Sequence, residues 1–141
     1  MEKHDNDVVN VLTTDGIPVV NMNEFLNISL LSLEDIKKKM GNGSWAVRII
    51  YNKRFQGFFV KQFPGEGNRK HYHPDAVECW FIMEGDWEWF IEGEGVRKVS
   101  VHDVVIMKEG IRHQITVVGD KPGIRLAITM PDVDHVFENE A

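Results

Sequence analysis

The chain has 141 residues, 43% of them apolar and 27% charged, proportions that suit one folded domain with its own core. A net charge of -6 argues against a general nucleic-acid binder, which needs concentrated Lys and Arg, and offers nothing to an anionic membrane. The lone cysteine, Cys79, excludes an internal disulfide and a thiolate metal cluster, and no apolar run approaches the ~20 residues of a bilayer span.

The first residues, MEKHDNDVVN, are polar and carry no apolar stretch of the signal-peptide kind. With the cysteine count, this places the chain in the cytoplasm as an expectation. Residues 8–12 and 17–22 are short β-prone runs around a Thr-Thr-Asp-Gly turn signal. Residues 32–40 read as the one helix. Ser32 stands at the N-cap with Asp35 three residues on, Lys37, Lys38 and Lys39 complement the negative end of the dipole, and Gly41 stops it.

From Trp45 the pattern changes to strands. WAVRIIY, FQGFFVKQF, ECWFIM, WEWFI, VRKVSV, VVIM, QITVV and IRLAITM are short and rich in β-branched and aromatic residues, with turn residues between most of them. Many short strands without alternating helices predict an all-β sandwich or barrel. The expected organisation is a single domain over 1–141. Residues 1–44 form an N-terminal extension with short strands and one helix, and 45–131 form the barrel core.

The chemistry concentrates in GEGNRKHYHPDAVECWFIMEG, residues 65–85. His71 and His73 are two apart in an extended segment, so both imidazoles turn to one face. Glu78 follows across a Pro-Asp turn at the start of the next strand. His113 opens another strand after a Gly turn. Three imidazoles and a carboxylate form a ligand set that suits Fe, Mn, Ni or Zn and leaves positions open for a substrate.

These spacings resemble the cupin superfamily. Its first motif, G(X)5HXH(X)3-4E(X)6G, is met at Gly65, His71, His73, Glu78 and Gly85. Its second, G(X)5PXG(X)2H(X)3N, is met at Gly110 and His113, while His102, Lys108 and Val117 stand where Gly, Pro and Asn are expected. The resemblance implies a double-stranded β-helix, or jelly-roll barrel. It also implies one divalent transition metal in the barrel mouth, held by His71, His73, Glu78 and His113.

Strand alternation then offers two equal readings of Arg69: on the inward face with His71 and His73, where its guanidinium would hold a substrate carboxylate, or facing solvent at the strand start. Trp80 and Ile82 follow Glu78 inward, and Ile115 and Val117 follow His113. Tyr72 and Cys79 point away. Arg48, Gln62 and Arg125 lie on other strands and could reach the cavity, but without a fixed register the surface is their default; Trp87 and Trp89 are assigned to core packing or an interface. His102 is a surface turn residue, and His4 and His135 are terminal histidines without a metal role. Glu78 and Arg69 are the expected catalytic pair. An enzyme acting on a small oxygen-rich metabolite (hydroxy acid, enol or sugar derivative) by oxygenase, isomerase or lyase chemistry is the favoured reading. A non-catalytic metabolite-binding or sensing module is the alternative. Similar proteins are commonly dimers, so a homodimer is expected, with residues 8–22 as a segment for strand exchange.

Overall fold

The computed structural model describes residues 11–12 and 17–137. The strand pattern predicted from Trp45 onward folds as nine strands: β2 (Trp45–Tyr51), β3 (Gln56–Gln62), β4 (His71–Tyr72), β5 (Glu78–Glu84), β6 (Asp86–Ile91), β7 (Gly95–Val99), β8 (Val104–Met107), β9 (His113–Val118) and β10 (Gly123–Thr129). Two more flank them, β1 (Val19–Asn21) and β11 (Val136–Phe137), and the helix is α1 (Leu33–Met40). One sheet runs β1-β2-β3-β10-β5-β8 and the other β11-β4-β9-β6-β7. Neighbours far apart in sequence therefore lie side by side, as in a jelly roll. The sheets extend past the expected 45–131 core at both ends.

Each strand offers one face to the space between the sheets. Phe58, Val60, Trp80, Ile82 and Ala127 from the first sheet meet Trp87, Trp89, Ile115 and Val117 from the second in one apolar core. Trp87 and Trp89 are fully buried there, so their role is packing. The back of the first sheet is also covered. Trp45, Val47, Phe59 and Ile124 pack against Phe25 and the fully buried Ile36 of α1. That second layer explains why β2 and β3 read as almost unbroken apolar runs and not as a strict alternation.

The helix forms where the sequence places it, though Ser32 makes no side-chain cap. Gly41 closes it at φ 83, with its N–H on the Lys37 carbonyl. Lys37 is not merely solvated. Its Nζ lies 2.7 Å from Glu84 and ties the helix end to β5. At the N-terminal side the expectation fails, because Val11 and Leu12 are helical and not strand, and residues 8–10 lie outside the described residues. Of the segment assigned to strand exchange, β1 pairs in parallel with β2 of its own chain.

The segment that leads into β4 is fixed by close backbone contact. Gly67 bridges Thr116, and a Cβ added at Gly67 would stand 1.8 Å from the Ile115 carbonyl oxygen. Asn68 follows with its side-chain oxygen on the Ile115 N–H. Gly67→Ala is therefore expected to lose about 1–3 kcal/mol or more, as backbone overlap cannot relax by a rotamer change. Urea unfolding would measure it, and a midpoint equal to wild type would contradict this account of the bridge.

Candidate metal centre

His71 and His113 stand directly opposite each other where β4 meets β9, so one backbone register places two imidazoles side by side. Their ring centroids are 4.3 Å apart. His73, just past β4, comes within 4.9 Å of His71 and 5.4 Å of His113. Glu78 reaches the cluster from the other sheet, with Oε1 2.8 Å from His73 Nε2. The turn of the second motif is tied to the first, because the Gly110 N–H donates to the His73 carbonyl. The left-handed backbone that the motif reserves for its first Gly is present too, and His102 adopts it at φ 78.

Every ring of the HxH pair and His113 has its Nδ1 against a backbone carbonyl. His71 meets Arg69 O at 2.7 Å, His73 meets Asp134 O at 2.9 Å and His113 meets Ile111 O at 2.9 Å. A carbonyl only accepts, so Nδ1 carries the proton and Nε2 is left as the free lone pair. This is the arrangement found around metal-binding imidazoles. The Nε2 of His113 is buried and has no hydrogen-bond partner among the described residues. Close approach of His73 Nε2 and a carboxylate oxygen likewise calls for a positive charge, either a proton on the ring or a cation between them.

Charge balance in the cluster follows from burial. It holds His71 well below 6.5, His113 at about 4 and His135 at about 3, so these rings are neutral at physiological pH. Burial also opposes charge on His73, but the Glu78 carboxylate outweighs it and raises the ring. Glu78 is lowered in turn, its burial being outweighed by His73.

His135, assigned no metal role from the sequence, belongs to this cluster. Its ring centroid is 4.7 Å from His73 and 5.1 Å from His71, and its Nδ1 is buried without a partner among the described residues. Two triads with mutually close donor atoms thus overlap at His73, one with Glu78 and His113, the other with His71 and His135. The tail arrives there because β11 pairs with β4, Phe137 opposite His71. Only Val133, Val136 and Phe137, apolar in a polar tail, hinted at this strand.

Arg69 does not face the metal cluster. The phase of alternation breaks at the bend before β4, so Asn68 is buried while Arg69 is exposed, its guanidinium 3.9 Å over the Phe137 ring. Three residues assigned to the surface by default are buried instead: Arg48, Gln62 and Arg125. Gln62 and Arg125 lie on inward faces that the sequence could not phase without the strand register. Trp80, Ile82, Ile115 and Val117 are buried as expected, and Cys79 is half-buried with its thiol raised by burial. Tyr72 turns away from the cluster, under the Arg112 guanidinium. His102 is exposed, and His4 lies outside the described residues. Beside the cluster is a cavity of about 20 Å³, lined by Val11, Leu12, Phe58, Trp80, Asn68, His71, Glu78, Arg125 and His135.

With no metal bound, the depressed rings set the acid response. The unfolded chain binds protons on His71, His113 and His135 as pH falls below 6.5, while the folded chain resists down to about 4 at His113 and about 3 at His135. Stability is therefore full above 6.5 and is lost toward pH 4. The raised His73 opposes this in part, since its contribution is present below 6.5 and is lost as pH rises through its folded value. Chelator-treated protein should show a lower urea midpoint at pH 5 than at pH 7. A midpoint that is flat or higher at pH 5 would refute neutral burial of these rings.

Comparison with known proteins agrees with the geometry. The cupin domain profile matches residues 58–129. Among curated protein sequences none matches. Of solved structures, an uncharacterised conserved protein with a double-stranded β-helix domain from Klebsiella pneumoniae superposes with a TM-score of 0.67 at 18% identity, over 84% of this chain and 98% of that one. A cupin-like protein from Thermotoga maritima gives 0.60 at 18% identity, over 70% and 83%. A DMSP lyase from Ruegeria pomeroyi gives 0.60 at 21% identity, over 78% and 56%. At these identities the neighbours speak for the fold alone. The profile match spans half of the chain and contains the HxH pair, Glu78 and His113, and this chain belongs to the cupin family.

Proposed function

We propose that this chain is a divalent-metal-dependent enzyme acting on a small, oxygen-rich metabolite that chelates to the metal. The observation that carries the reading is the set of three Nδ1-to-carbonyl hydrogen bonds, which free three Nε2 lone pairs for a cation, those of His73 and His113 buried close to the Glu78 carboxylate. His71, His73, Glu78 and His113 are the proposed ligands, with His135 as a fifth donor at the cluster edge. Fe, Mn, Ni or Zn suits this mixed imidazole and carboxylate set. When bound, such an ion supplies Lewis acidity toward a hydroxyl or carbonyl oxygen.

The chain's own residues do the rest. The backbone carbonyls of Arg69, Ile111 and Asp134 hold the rings in one tautomer and one orientation. Val11, Leu12, Phe58 and Trp80 form the apolar side of a small neighbouring space, which limits water and strengthens the electrostatic contacts of the polar side. Glu78, held ionised beside His73, is the group positioned to take or return a proton. The DMSP lyase among the structural neighbours supports an enzymatic reading in this fold, and its substrate belongs to that protein.

Metal analysis of the purified protein tests the centre. His73→Ala and His113→Ala are each expected to lose at least tenfold in bound metal per chain, with the β-sheet circular dichroism retained. Unchanged metal content in both variants would refute the ligand assignment. Oxygen-uptake and product assays on hydroxy acids, enols and sugar derivatives then test turnover, and binding without product across the panel would refute the enzyme.

A further inference from the structure

Arg125 is a buried cation that the metal cluster does not use. It stands on the inward face of β10, 2% exposed, and lines the same cavity as His71, Glu78 and His135. Its Nη1 donates to Gln62 Oε1, and its guanidinium carbon lies 5.0 Å from the centroid of the Trp87 ring. Gln62 is held in that orientation, since its Nε2 donates to Leu12 O at 3.0 Å and Gly67 O at 2.7 Å. The Arg125 Nε is buried with no hydrogen-bond partner among the described residues. No carboxylate among them forms an ion pair with it. Glu78 is the acidic group whose field reaches it, and that carboxylate is in contact with His73.

A buried guanidinium with unused donors is costly unless an anion meets it. We propose that Arg125 is the receptor for a substrate carboxylate, so that the metabolite is a small carboxylic acid with a second oxygen donor, such as a 2-hydroxy acid, a 2-oxo acid or a dicarboxylate. This rests on the metal centre proposed above, for the second oxygen is the one that chelates. One end of the ligand takes the planar N–H donors of Arg125, and the other end turns toward the histidines and Glu78 across a cavity that both groups line. The cavity of about 20 Å³ has room for little more than one water, so even a short acid enters only as the wall of Val11 and Leu12 gives way. That wall is held at its backbone by the Arg69 N–H on Val11 O and by Gln62 on Leu12 O. The role expected of Arg69 from sequence thus passes to Arg125, on a different strand of the opposite sheet.

Equilibrium titration of the metal-loaded protein with oxalate and with its neutral diamide, oxamide, tests the assignment. Wild type should bind oxalate at least tenfold more tightly than oxamide. Arg125→Gln should lose about tenfold or more of the oxalate affinity, with bound metal unchanged and oxamide binding unmoved, and Arg125→Lys should recover part of it. A structural role alone would weaken oxalate and oxamide binding alike. Equal oxalate affinity in wild type and Arg125→Gln overturns the proposal. Should Arg125→Gln fail to fold, metal-stripped wild type decides: a preference for oxalate over oxamide upholds Arg125, and none overturns it. Acetate, which lacks the chelating second oxygen, separates the two readings. A chain that takes up no added metal yet prefers acetate over acetamide would sink the metal centre and keep Arg125, whereas full metal loading with oxalate affinity unmoved by Arg125→Gln would do the reverse.

Discussion

The centre of this protein depends on which nitrogen of each imidazole carries the proton. At His71, His73 and His113 a backbone carbonyl settles it, by accepting from Nδ1. Two of those carbonyls, of Arg69 and Ile111, lie two residues before their own histidine. Local chain conformation thus sets the tautomer with no help from distant side chains. The third, of Asp134, comes from the far end of the described chain and ties the tail to the site. With the protons turned outward, the lone pairs have only one another, Glu78 and whatever occupies the middle. An interior that buries several lone pairs without donors is unfavourable in the absence of a cation.

Electrostatics divide the cavity into two ends. Around the histidines burial suppresses positive charge, which keeps His71, His113 and His135 neutral and so able to donate electron pairs. At Arg125 the same burial meets a group too basic to give up its proton near neutral pH, even though its pKa is drawn down to about 9. Its hydrogen-bond and ring partners are one amide oxygen and the Trp87 face, neither of them charged, and the Glu78 carboxylate acts on it through its field without an ion pair. A site that combines lone pairs at one end with an uncompensated cation at the other is polar along its length. It discriminates by charge arrangement more than by shape.

Much of this was legible in the sequence because two signals have fixed periods. The i, i+2 spacing of His71 and His73 and the inward phase of Glu78, Trp80 and Ile82 follow from alternation within unbroken strands. Where alternation is interrupted, the reading failed. The bend between Asn68 and His71 turns Arg69 outward, and one residue of phase reverses its role. Gln62 and Arg125 have no fixed place in the sequence for a related reason. Polar residues on inward faces look like surface residues until the pairing of β3 with β10 places both against the core. His135 was missed because a two-residue strand has too few positions to show a period, and its partner β4 is equally short. The helical Val11 and Leu12 are set by tertiary contacts to Arg69 and Gln62 that no local propensity encodes.

The misses share a location, and that has a consequence for how this fold acquires specificity. The cupin motifs lie within the matched residues 58–129 and provide the HxH pair, Glu78 and His113. Val11, Leu12, Asp134, His135 and Phe137 lie outside that span, yet they wall the cavity, orient His73, add an imidazole and seat Arg69. The barrel therefore furnishes a reactive centre, and the flanking segments decide how much room surrounds it and which groups complete it. The C-terminal flank is tied to the ligands, because β11 pairs with β4 and Asp134 O meets His73, whereas Val11 and Leu12 touch the cavity without pairing to a ligand strand. Under the proposed function, the determinants of ligand choice belong at the two flanks and at Arg125, which line the cavity beside the candidate ligands.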